Sequence, residues 1–362
     1  MSNVITKDIL LQTLKGFQIN GDVTYCEPYG FGHINSTQLV VDQSGKRYIF
    51  QKISERAFKD VPALMENIDL VTSFLREKSA DPRTVLTLVY ALDGSSYVKN
   101  EYGYWRVYDF VEDTICLQSA ETDMDFYESA IAFGRFQQNL NDFPVEKLHE
   151  TIPNFHNTPD RFRIFREVLA KDPLNRAKDV QAEIDFIFSQ EEAVSTAQRM
   201  LERGELPARV THNDTKLNNV LLDAATRKAL CVIDLDTVMP GLSIFDFGDS
   251  IRFGAATAAE HEKDLSKVTM SLDRFRVYTR GFVQACPGLT DNEISMLPMG
   301  ARTMTLECGM RFLTDYIDGD NYFSIHYPEQ NLDRCRTQFK LVADMEAKWD
   351  QMVAIVANGG NA

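Results

Sequence analysis

Two polar segments placed around short apolar strands constrain this chain most. The first is the His-Asn-Asp run 212–214, which ends at Asp214 and is followed five positions later by Asn219. The second is Asp234, which comes directly after an apolar run, with Asp236 two residues beyond it. An Asp can orient and deprotonate a hydroxyl group, while an Asn and a further Asp can bind a metal ion. Because phosphoryl transfer needs mostly positioning and charge neutralisation, the pattern indicates a site for that chemistry.

Size and charge exclude some functions and permit others. The chain has 362 residues, of which 44% are hydrophobic, and a formal net charge of −15. This is enough for two lobes with a sizeable core. Binding to nucleic acid requires clustered Lys and Arg, so the acidic balance argues against a nucleic-acid partner. ATP is not excluded, because local cations and a metal ion can neutralise its phosphates in an acidic protein.

The cysteines and the termini favour a reducing compartment. The six cysteines are scattered, without the spacing of a metal site or a redox motif; they are Cys26, Cys116, Cys231, Cys286, Cys308 and Cys335. The N-terminal residues lack the apolar centre of a signal peptide. No window approaches the roughly 18 uncharged apolar residues that a membrane span requires. We expect a cytoplasmic protein without membrane association, and no protein partner is evident.

The first 110 residues predict a small lobe dominated by strands. We expect an amphipathic helix within residues 1–18 and a second helix carrying Leu64, Ile68, Val71 and Leu75 at helical spacing. The turn at 42–46 and the Asp-Gly pair at 93–94 each predict a β-hairpin. The predicted strands cover 37–41, 47–53, 85–91, 96–99 and 104–111.

The remainder of the chain predicts a large, mainly helical lobe. A strand-rich stretch at 209–236 carries the polar segments and interrupts this lobe. The predicted helices cover 126–140, 159–170, 180–204, 263–284, 291–317 and 329–357. The sequence therefore predicts an α+β, bilobal protein with a cleft between its lobes. We place an N-terminal nucleotide-binding lobe at 1–110 and a C-terminal catalytic and acceptor-binding lobe at 111–362.

The two polar segments suggest specific roles. Asp214 is the candidate catalytic base, and Asn219 and Asp234 are candidate ligands for Mg²⁺. Asp236 is a rival ligand, because period-two alternation along a strand would place it on the same face as Asp234. We expect His212 to hold the loop through hydrogen bonds. Asp246 begins an Asp-Phe-Gly run, but we interpret it as a structural residue that braces the catalytic region.

A glycine-containing turn and the strand after it suggest where phosphates bind. Gly30 and Gly32 allow backbone N–H groups to approach phosphate closely. Either Gln51 or Lys52 stands where a phosphate-binding cation is expected, and Lys52 is chemically better suited. A surface position for Lys52 is the competing interpretation. Glu66, on the following helix, falls opposite the apolar stripe, so we do not expect it to pair with Lys52.

Two further segments are candidates for ligand contact. Phe110 and Val111 lie in the connection between the lobes, where backbone groups could bind the adenine base; the alternative is ordinary interlobe core. Arg311 begins a polar and aromatic stretch that reaches Tyr322. A salt bridge from Arg311 to Asp315 on a solvated face is the plain interpretation. A sugar-binding site, with its planar donors and aromatic faces, is the functional one.

These segments resemble a known enzyme family. The stretches 209–219, 233–241, 245–254, 307–312, 27–30 and 32–35 are similar to those of the N-acetylhexosamine 1-kinase family, within the aminoglycoside phosphotransferase superfamily. The resemblance extends over nearly the whole chain. It implies a protein-kinase-like bilobal fold, ATP and Mg²⁺, and transfer of the γ-phosphoryl group to the anomeric hydroxyl of N-acetylglucosamine or N-acetylgalactosamine.

The resemblance also carries residue roles. It implies that Asp214 is the base, that Asn219 and Asp234 are metal ligands, and that His33, Arg311 and Tyr322 lie near the sugar. Lys52 stands where that family has Arg, and the two cations differ in geometry.

Other functions compatible with the motifs remain open. One is a kinase for another small alcohol, such as choline, homoserine or an aminoglycoside. The acidic net charge is compatible with such cationic acceptors, whereas the Arg311 segment argues against them. Another is a nucleotide-binding pseudokinase, which would be expected to lack one of the core Asp and Asn residues. The preferred epimer, the sugar range and the oligomeric state are not encoded in any pattern that we recognise.

Overall fold

Alternating apolar residues in the N-terminal part build one antiparallel sheet. The computed structural model describes residues 5–30 and 34–361. The strands of this sheet are β1 (Val23–Pro28), β2 (Ser36–Asp42), β3 (Arg47–Lys52), β4 (Leu88–Val89), β5 (Val98–Asn100) and β6 (Gly103–Asp109). Their order is β1-β2-β3-β6-β4, and β5 also pairs with β6.

Each face of this sheet has its own helix. Helix α1 (Lys7–Leu14) covers the face that carries Phe50 and Trp105, whose rings stack with centroids 5.0 Å apart. Helix α2 (Val61–Glu77) covers the opposite face, where its apolar stripe packs against Ile53. Both helices were predicted. Because β3 lies between the two layers, alternate residues along it point into different environments.

The second predicted hairpin is wrong in its pairing. The chain does turn at residues 91–95, where the N–H of Ala91 donates to the carbonyl of Ser95 at 2.8 Å. However, β4 and β5 do not pair with each other; both pair with β6. The Asp-Gly turn is genuine, but β6 offers each strand a longer apolar partner than the other could.

Helices dominate the C-terminal part, as predicted. They are α3 (Asp123–Asn139), α4 (Thr158–Lys171), α5 (Gln181–Ser189), α6 (Glu191–Val194), α7 (Thr196–Glu202), α8 (Ser243–Gly254), α9 (Leu272–Ala285), α10 (Asp291–Ser295), α11 (Leu297–Asp318), α12 (Gln330–Ala347) and α13 (Trp349–Ala357). The α+β, bilobal prediction is confirmed. The predicted helix at 180–204 is broken into three, and that at 263–284 begins only at α9, where the Ser271 side chain caps the first turn.

Two small sheets carry the polar segments of the sequence. Strands β7 (Thr114–Cys116), β9 (Val220–Asp223) and β10 (Ala229–Val232) form one, and β8 (Arg209–Thr211) pairs with β11 (Met239–Gly241) in the other. The N–H of Ile233 donates to the carbonyl of Asn219 at 2.9 Å. This bond brings the loop after β8 beside the end of β10, so the two polar segments meet.

A close helix crossing supports this region. At Gly300 on α11, an added Cβ would lie 2.1 Å from the carbonyl oxygen of Ile244 on α8. Only glycine permits the two backbones to approach so closely. The crossing places α11 beside the loop that follows β8. Among the described residues, no helix has the length and apolarity needed to cross a membrane.

Candidate active site

The loop after β8 is held by a buried carboxylate. Asp246, in the first turn of α8, accepts hydrogen bonds from the backbone N–H groups of His212 at 2.9 Å and Asn213 at 2.8 Å. The side chain of Gln137 donates to the same carboxylate at 2.7 Å. Asp246 is fully buried. It therefore braces the loop from below, as predicted, and does not reach the cleft.

His212 anchors the loop as well. Its ring is buried against Phe133, with centroids 5.3 Å apart. Its Nε2 lies 2.9 Å from the carbonyl of Ile233, and its Nδ1 accepts the N–H of Asp214 at 3.3 Å. Both ring nitrogens are used in fixing the backbone. The prediction that His212 holds the loop agrees with this geometry.

Asp214 lies between a cation and an amide. Its Oδ1 is 2.6 Å from Nζ of Lys216, and its Oδ2 accepts from Nδ2 of Asn219 at 2.9 Å. Because Nδ2 of Asn219 donates here, the carbonyl oxygen of that amide remains available as a ligand. Burial would lower the pKa of Lys216, but the charges of Asp214 and Asp249 raise it. The lysine is therefore charged beside the candidate base.

Asp234 follows β10 in a left-handed backbone conformation, with φ of 59°. The surrounding protein disfavours its charge, and the nearby charges of Asp236 and Asp214 add to this, raising the pKa of Asp234 to about 7. The side chain itself is open to the cleft. A carboxylate that is accessible but electrostatically crowded is well placed to bind a cation.

Asp236 is engaged differently from Asp234. One of its oxygens accepts from Nη1 of Arg106, and the other accepts from Nδ2 of Asn35 at 2.5 Å. The expectation that alternation puts both acids on one face is wrong, because β10 ends at Val232 and a 3₁₀ turn follows. With both oxygens occupied, Asp236 fits a role in joining the two parts of the chain better than a role as metal ligand.

Arg106, which the sequence analysis did not single out, is the cation of this cluster. It is 1% exposed, and its Nε donates to Oε1 of Gln51 at 2.9 Å. Gln51 and Arg106 are cross-strand partners in β3 and β6, so they share a face of the sheet.

The prediction that Lys52 lies in the cleft is wrong, because the pairing of β3 with β6 puts Lys52 on the other face of the sheet. Lys52 pairs with Trp105 on the opposite face, where its Nζ lies 5.9 Å from the indole ring. Glu66 pairs with His149 at 2.7 Å, so it is not the partner of Lys52. No contact connects Lys52 to Asp236.

The glycine turn and the connection between the lobes are only partly described. Gly32 and His33 lie outside the described residues. Gly30 has φ of 81°, a conformation that favours glycine. The N–H of Phe110 donates to the carbonyl of Arg47 at 3.1 Å, so it is already used. Val111 packs partly against the core beneath α2, which leaves only its backbone as a candidate for nucleotide contact.

Arg311 projects from α11 among aromatic rings. Its guanidinium carbon lies 5.7 Å from the ring centroids of Phe155 and Tyr322, and 5.5 Å from that of Phe323. Tyr322 is 67% exposed, so the cluster opens to solvent. The cluster of Phe155, Arg311, Tyr322 and Phe323 is called the aromatic cluster below.

The salt bridge considered for Arg311 is not formed. The Asp315 carboxylate accepts the backbone N–H groups of Tyr322 at 2.8 Å and Phe323 at 2.9 Å. Glu307, one turn before Arg311, accepts from Thr158 at 2.7 Å and lies 2.8 Å from His156. Both acids that flank Arg311 on its helix are therefore used elsewhere, and Asp315 orders the loop that carries Tyr322.

A second arginine reinforces the positive charge. Arg161 and Arg311 both contact Phe155, and burial together with the charge of Arg311 lowers the pKa of Arg161. Arg161 donates to the carbonyl of Phe155 at 2.8 Å. The N-terminal part also reaches this region, since Arg56 donates to the carbonyl of Asn321 at 3.1 Å. The aromatic cluster thus lies at the mouth of the cleft.

The donor set fits a hard divalent cation that is bound together with phosphate. Asn219 and Asp234 offer oxygen ligands, which Mg²⁺ prefers. Among the residues described, no three His, Cys, Asp or Glu side chains form a metal cage of their own. Mg²⁺ at nucleotide sites takes one or two carboxylates, and phosphates and waters supply the rest.

Four residues of the site were missed from sequence. Lys216 had a local signal, because it lies inside the polar motif two residues after Asp214. Arg106 had a weaker one, as a charged residue in an otherwise apolar strand. His156 had none, because Glu307 and Asn213 are distant in sequence, and Arg161 had none, because Arg311 lies on a distant helix.

Comparison with known families agrees with this architecture. Residues 26–266, well over half of the chain, match the model of a family described as the phosphotransferase enzyme family (APH). The matched range includes Asp214, Asn219, Asp234 and Arg106.

Solved structures share the fold at low identity. A microcompartment-associated aminopropanol kinase matches with a TM-score of 0.63 and 16% identity, over 96% of this chain and 98% of that one. An aminoglycoside phosphotransferase from Alicyclobacillus acidocaldarius matches with a TM-score of 0.63 and 12% identity, over 99% and 97%. An ethanolamine kinase from Plasmodium vivax matches with 0.54 and 13%, over 87% and 82%.

Proposed function

The chain belongs to the phosphotransferase enzyme family, and from that membership we propose that it transfers the γ-phosphoryl group of ATP to the anomeric hydroxyl of an N-acetylhexosamine. The family membership establishes a phosphotransferase, and the fold is shared with a kinase of a small molecule. The sugar acceptor, the C1 position and Mg²⁺ are the proposed part. So is the division into a nucleotide-binding lobe at 1–110 and a catalytic lobe at 111–362.

The charge and the rings of the aromatic cluster are the observations that favour a neutral sugar as the acceptor. A cationic acceptor would meet Arg311 and Arg161 at the mouth of the cleft, and like charges at close range are repulsive. Glu307 attracts Arg311 but is hydrogen-bonded to His156 and Thr158, and Asp315 is hydrogen-bonded to the backbone of the next loop, so neither acid forms a salt bridge with Arg311. A neutral sugar suits such a site, because guanidinium N–H groups can donate to its oxygens while Tyr322 and Phe155 cover its C–H face.

Asp214 is the proposed base. It would accept or orient the proton of the acceptor hydroxyl, at a point where Asn219 and Lys216 hold its carboxylate in place. Lys216 can offset negative charge that builds up between the attacking oxygen and the phosphoryl group. Asp234 and Asn219 would hold Mg²⁺, which would supply positive charge to neutralise the phosphates of the nucleotide.

We propose that the nucleotide binds beside the N-terminal sheet. Arg106 provides a buried cation close to Asp236 and Asp234. Gly30, and Gly32 two residues later in the sequence, would allow backbone N–H groups to approach the phosphates. The backbone of Val111 and the carbonyl of Phe110 remain the candidates for binding the adenine base of ATP. Lys52 is not part of this proposal, because it lies on the other face of the sheet.

The second candidate is a kinase for an amine-bearing alcohol. It is favoured by the fold relatives described as aminopropanol and ethanolamine kinases, and by the net charge of −15. The local charge at the aromatic cluster opposes it. A nucleotide-binding pseudokinase is a third candidate, against which the presence of Asp214, Asn219 and Asp234 argues.

The proposal is tested by ADP release with Mg²⁺-ATP against a panel of acceptors. The panel contains N-acetylglucosamine, N-acetylgalactosamine, their 1-O-methyl glycosides, choline, homoserine, ethanolamine and an aminoglycoside. We expect turnover with the free N-acetylhexosamines and none with the methyl glycosides. Turnover only with amine alcohols would replace the proposal by the second candidate, and ATP binding without any turnover would favour the pseudokinase. Asp214→Asn should abolish turnover while leaving ATP binding largely intact.

A further inference from the structure

His156 lies between helix α11 and the loop that carries Asp214. Its Nδ1 is 2.8 Å from Oε1 of Glu307, and its Nε2 is 3.3 Å from the carbonyl oxygen of Asn213. The side chain is 9% exposed and packs beside Phe155 and Phe245, with ring centroids at 4.4 and 6.0 Å. Both ring nitrogens therefore face oxygen acceptors within a well-defined packing environment.

Glu307 is a firm acceptor for one of these bonds. It is buried in α11 and also accepts from Oγ1 of Thr158 at 2.7 Å. Burial alone would raise the pKa of Glu307, but His156, Arg311 and Thr158 together hold it below its ordinary value. The group that His156 meets on α11 is thus a carboxylate, whose bonds are stronger than those of a neutral acid.

The other bond reaches the peptide that joins Asn213 to Asp214. Asn213 is in the left-handed conformation, with φ of 64°. Asp246 holds its N–H, and the carbonyl of Thr237 accepts from its side chain at 2.8 Å. The carbonyl of Asn213 is the group that faces His156. Any tilt of this peptide would move Asp214, the next residue.

Helix α11 therefore carries two functions on one face. Arg311 lies one turn after Glu307, so the helix that presents the aromatic cluster also reaches the catalytic loop. We propose that His156 is a positioning residue, whose ring links the Glu307 carboxylate to the Asn213 carbonyl and so fixes Asp214 relative to the acceptor site on α11. The inference rests on the proposed function only in taking Asp214 as the base.

Two conservative variants separate the two bonds of His156. The amide nitrogen of Asn can replace Nδ1 and keep the bond to Glu307, whereas that of Gln can reach the position of Nε2 and keep the bond to Asn213. Misplacement of a reacting group by about 1 Å can cost roughly 10²-fold in rate. We expect His156→Asn to lower kcat at least about tenfold, with KM values for sugar and ATP within about threefold. His156→Gln should retain most of the activity.

His149 provides the matched control. It is an exposed histidine whose Nε2 lies 2.7 Å from Glu66, and its side chain has no bond to the catalytic loop. His149→Asn should leave kcat unchanged. Equal losses in His156→Asn and His156→Gln, or an unchanged kcat in both, would overturn the role assigned to the Asn213 bond.

A second readout does not depend on activity. Hydrogen exchange of the amides of His212, Asn213 and Thr215 reports opening of the catalytic loop. We expect faster exchange in His156→Asn than in wild type, with His156→Gln and His149→Asn close to wild type. Wild-type exchange in His156→Asn would overturn the inference. If wild type fails to phosphorylate N-acetylhexosamines, the proposed function fails, whereas this exchange experiment still decides the role of His156.

Discussion

Arg106 and Asp236 form a buried ion pair although they are 130 residues apart in the chain. Nη1 of Arg106 donates to Oδ1 of Asp236, and their side chains are 1% and 4% exposed. Arg106 belongs to the N-terminal sheet, and Asp236 lies in the 3₁₀ turn that follows Asp234. Asn35 adds a second bond to Asp236 and accepts from the N–H of Ser54 at 3.0 Å. An ion pair and a hydrogen bond, as well as apolar contacts, therefore join the N-terminal part to the segment that follows β10.

The ion pair predicts a strong thermodynamic coupling. Arg106→Met leaves the Asp236 carboxylate buried without its partner, which should cost about 3–5 kcal/mol of unfolding free energy. Arg106→Met combined with Asp236→Leu should be much less destabilised than the sum of the single variants, because no unpaired charge remains. Urea unfolding of the four proteins in a double-mutant cycle measures this coupling. Lys52→Met is the control and should have little effect; additive costs at Arg106 and Asp236 would contradict the pair.

Asp234 and Asp236 should respond differently to Mg²⁺. Asp234→Asn removes the solvent-accessible carboxylate. We therefore expect kcat to fall by about 10²-fold or more and the Mg²⁺ concentration at half-maximal activity to rise. Asp236→Asn should destabilise the fold but leave the Mg²⁺ concentration at half-maximal activity within about twofold of wild type. Initial rates across a Mg²⁺ titration separate the two. A shift in Mg²⁺ requirement for Asp236→Asn alone would return Asp236 to the metal site.

Arg311 should matter for the acceptor and not for the nucleotide. Arg311→Gln removes the guanidinium but keeps a polar side chain within the aromatic cluster. We expect KM for N-acetylglucosamine to rise about tenfold or more, while KM for ATP changes less than about twofold. Arg163→Gln, an exposed change on α4, is the control and should alter neither value. An increase confined to KM for ATP would place Arg311 on the nucleotide side.

The strand that leads to Asp214 should contribute a pH-dependent stability. Glu293 is 1% exposed and pairs with Arg209, the first residue of β8, at 2.5 Å. Although burial would raise it, the pKa of Glu293 is lowered by Arg209, Ser243 and the N–H of Thr290. A carboxylate with a lowered folded-state pKa stabilises the fold above its unfolded-state pKa of about 4.3, and that stabilisation is lost as the pH falls further.

Glu293→Gln should therefore cost about 2–3 kcal/mol at neutral pH. The difference from wild type should shrink as the pH falls from about 5 to about 3. Denaturant unfolding at several pH values measures it. Glu167→Gln, at an exposed pair on α4, should show no comparable trend. A difference that stays constant with pH would contradict the charged Arg209–Glu293 pair.

Local motifs were predictable because their geometry is set within a few residues. The His-Asn-Asp run and the five-residue step to Asn219 lie in one short loop between β8 and β9, whereas Asp246 braces that loop from helix α8. Asn213 could be expected to tolerate a left-handed backbone, since Asn does so more readily than most residues. This is why roles for Asp214 and Asn219 could be proposed from sequence.

The other features of the site could not be predicted because they depend on contacts between residues that are distant in the sequence. Alternation showed that Gln51 and Lys52 face opposite ways, but only the position of α2 and β6 decides which face meets the cleft. The correct cation, Arg106, was hidden because its partner Asp236 lies on a distant strand end. For Arg311 the sequence left a helical salt bridge to Asp315 and a sugar-binding site both open, and only the folded loop shows that Asp315 binds the backbone of Tyr322 and Phe323.

The most direct measurement is phosphorus–proton correlation NMR on the product formed from N-acetylglucosamine with Mg²⁺-ATP. Transfer to the anomeric hydroxyl predicts a phosphorus signal coupled to the proton on C1. Coupling to a proton on C3 or C6 instead, or the absence of any sugar phosphate while an amine alcohol is phosphorylated, would contradict the proposed acceptor.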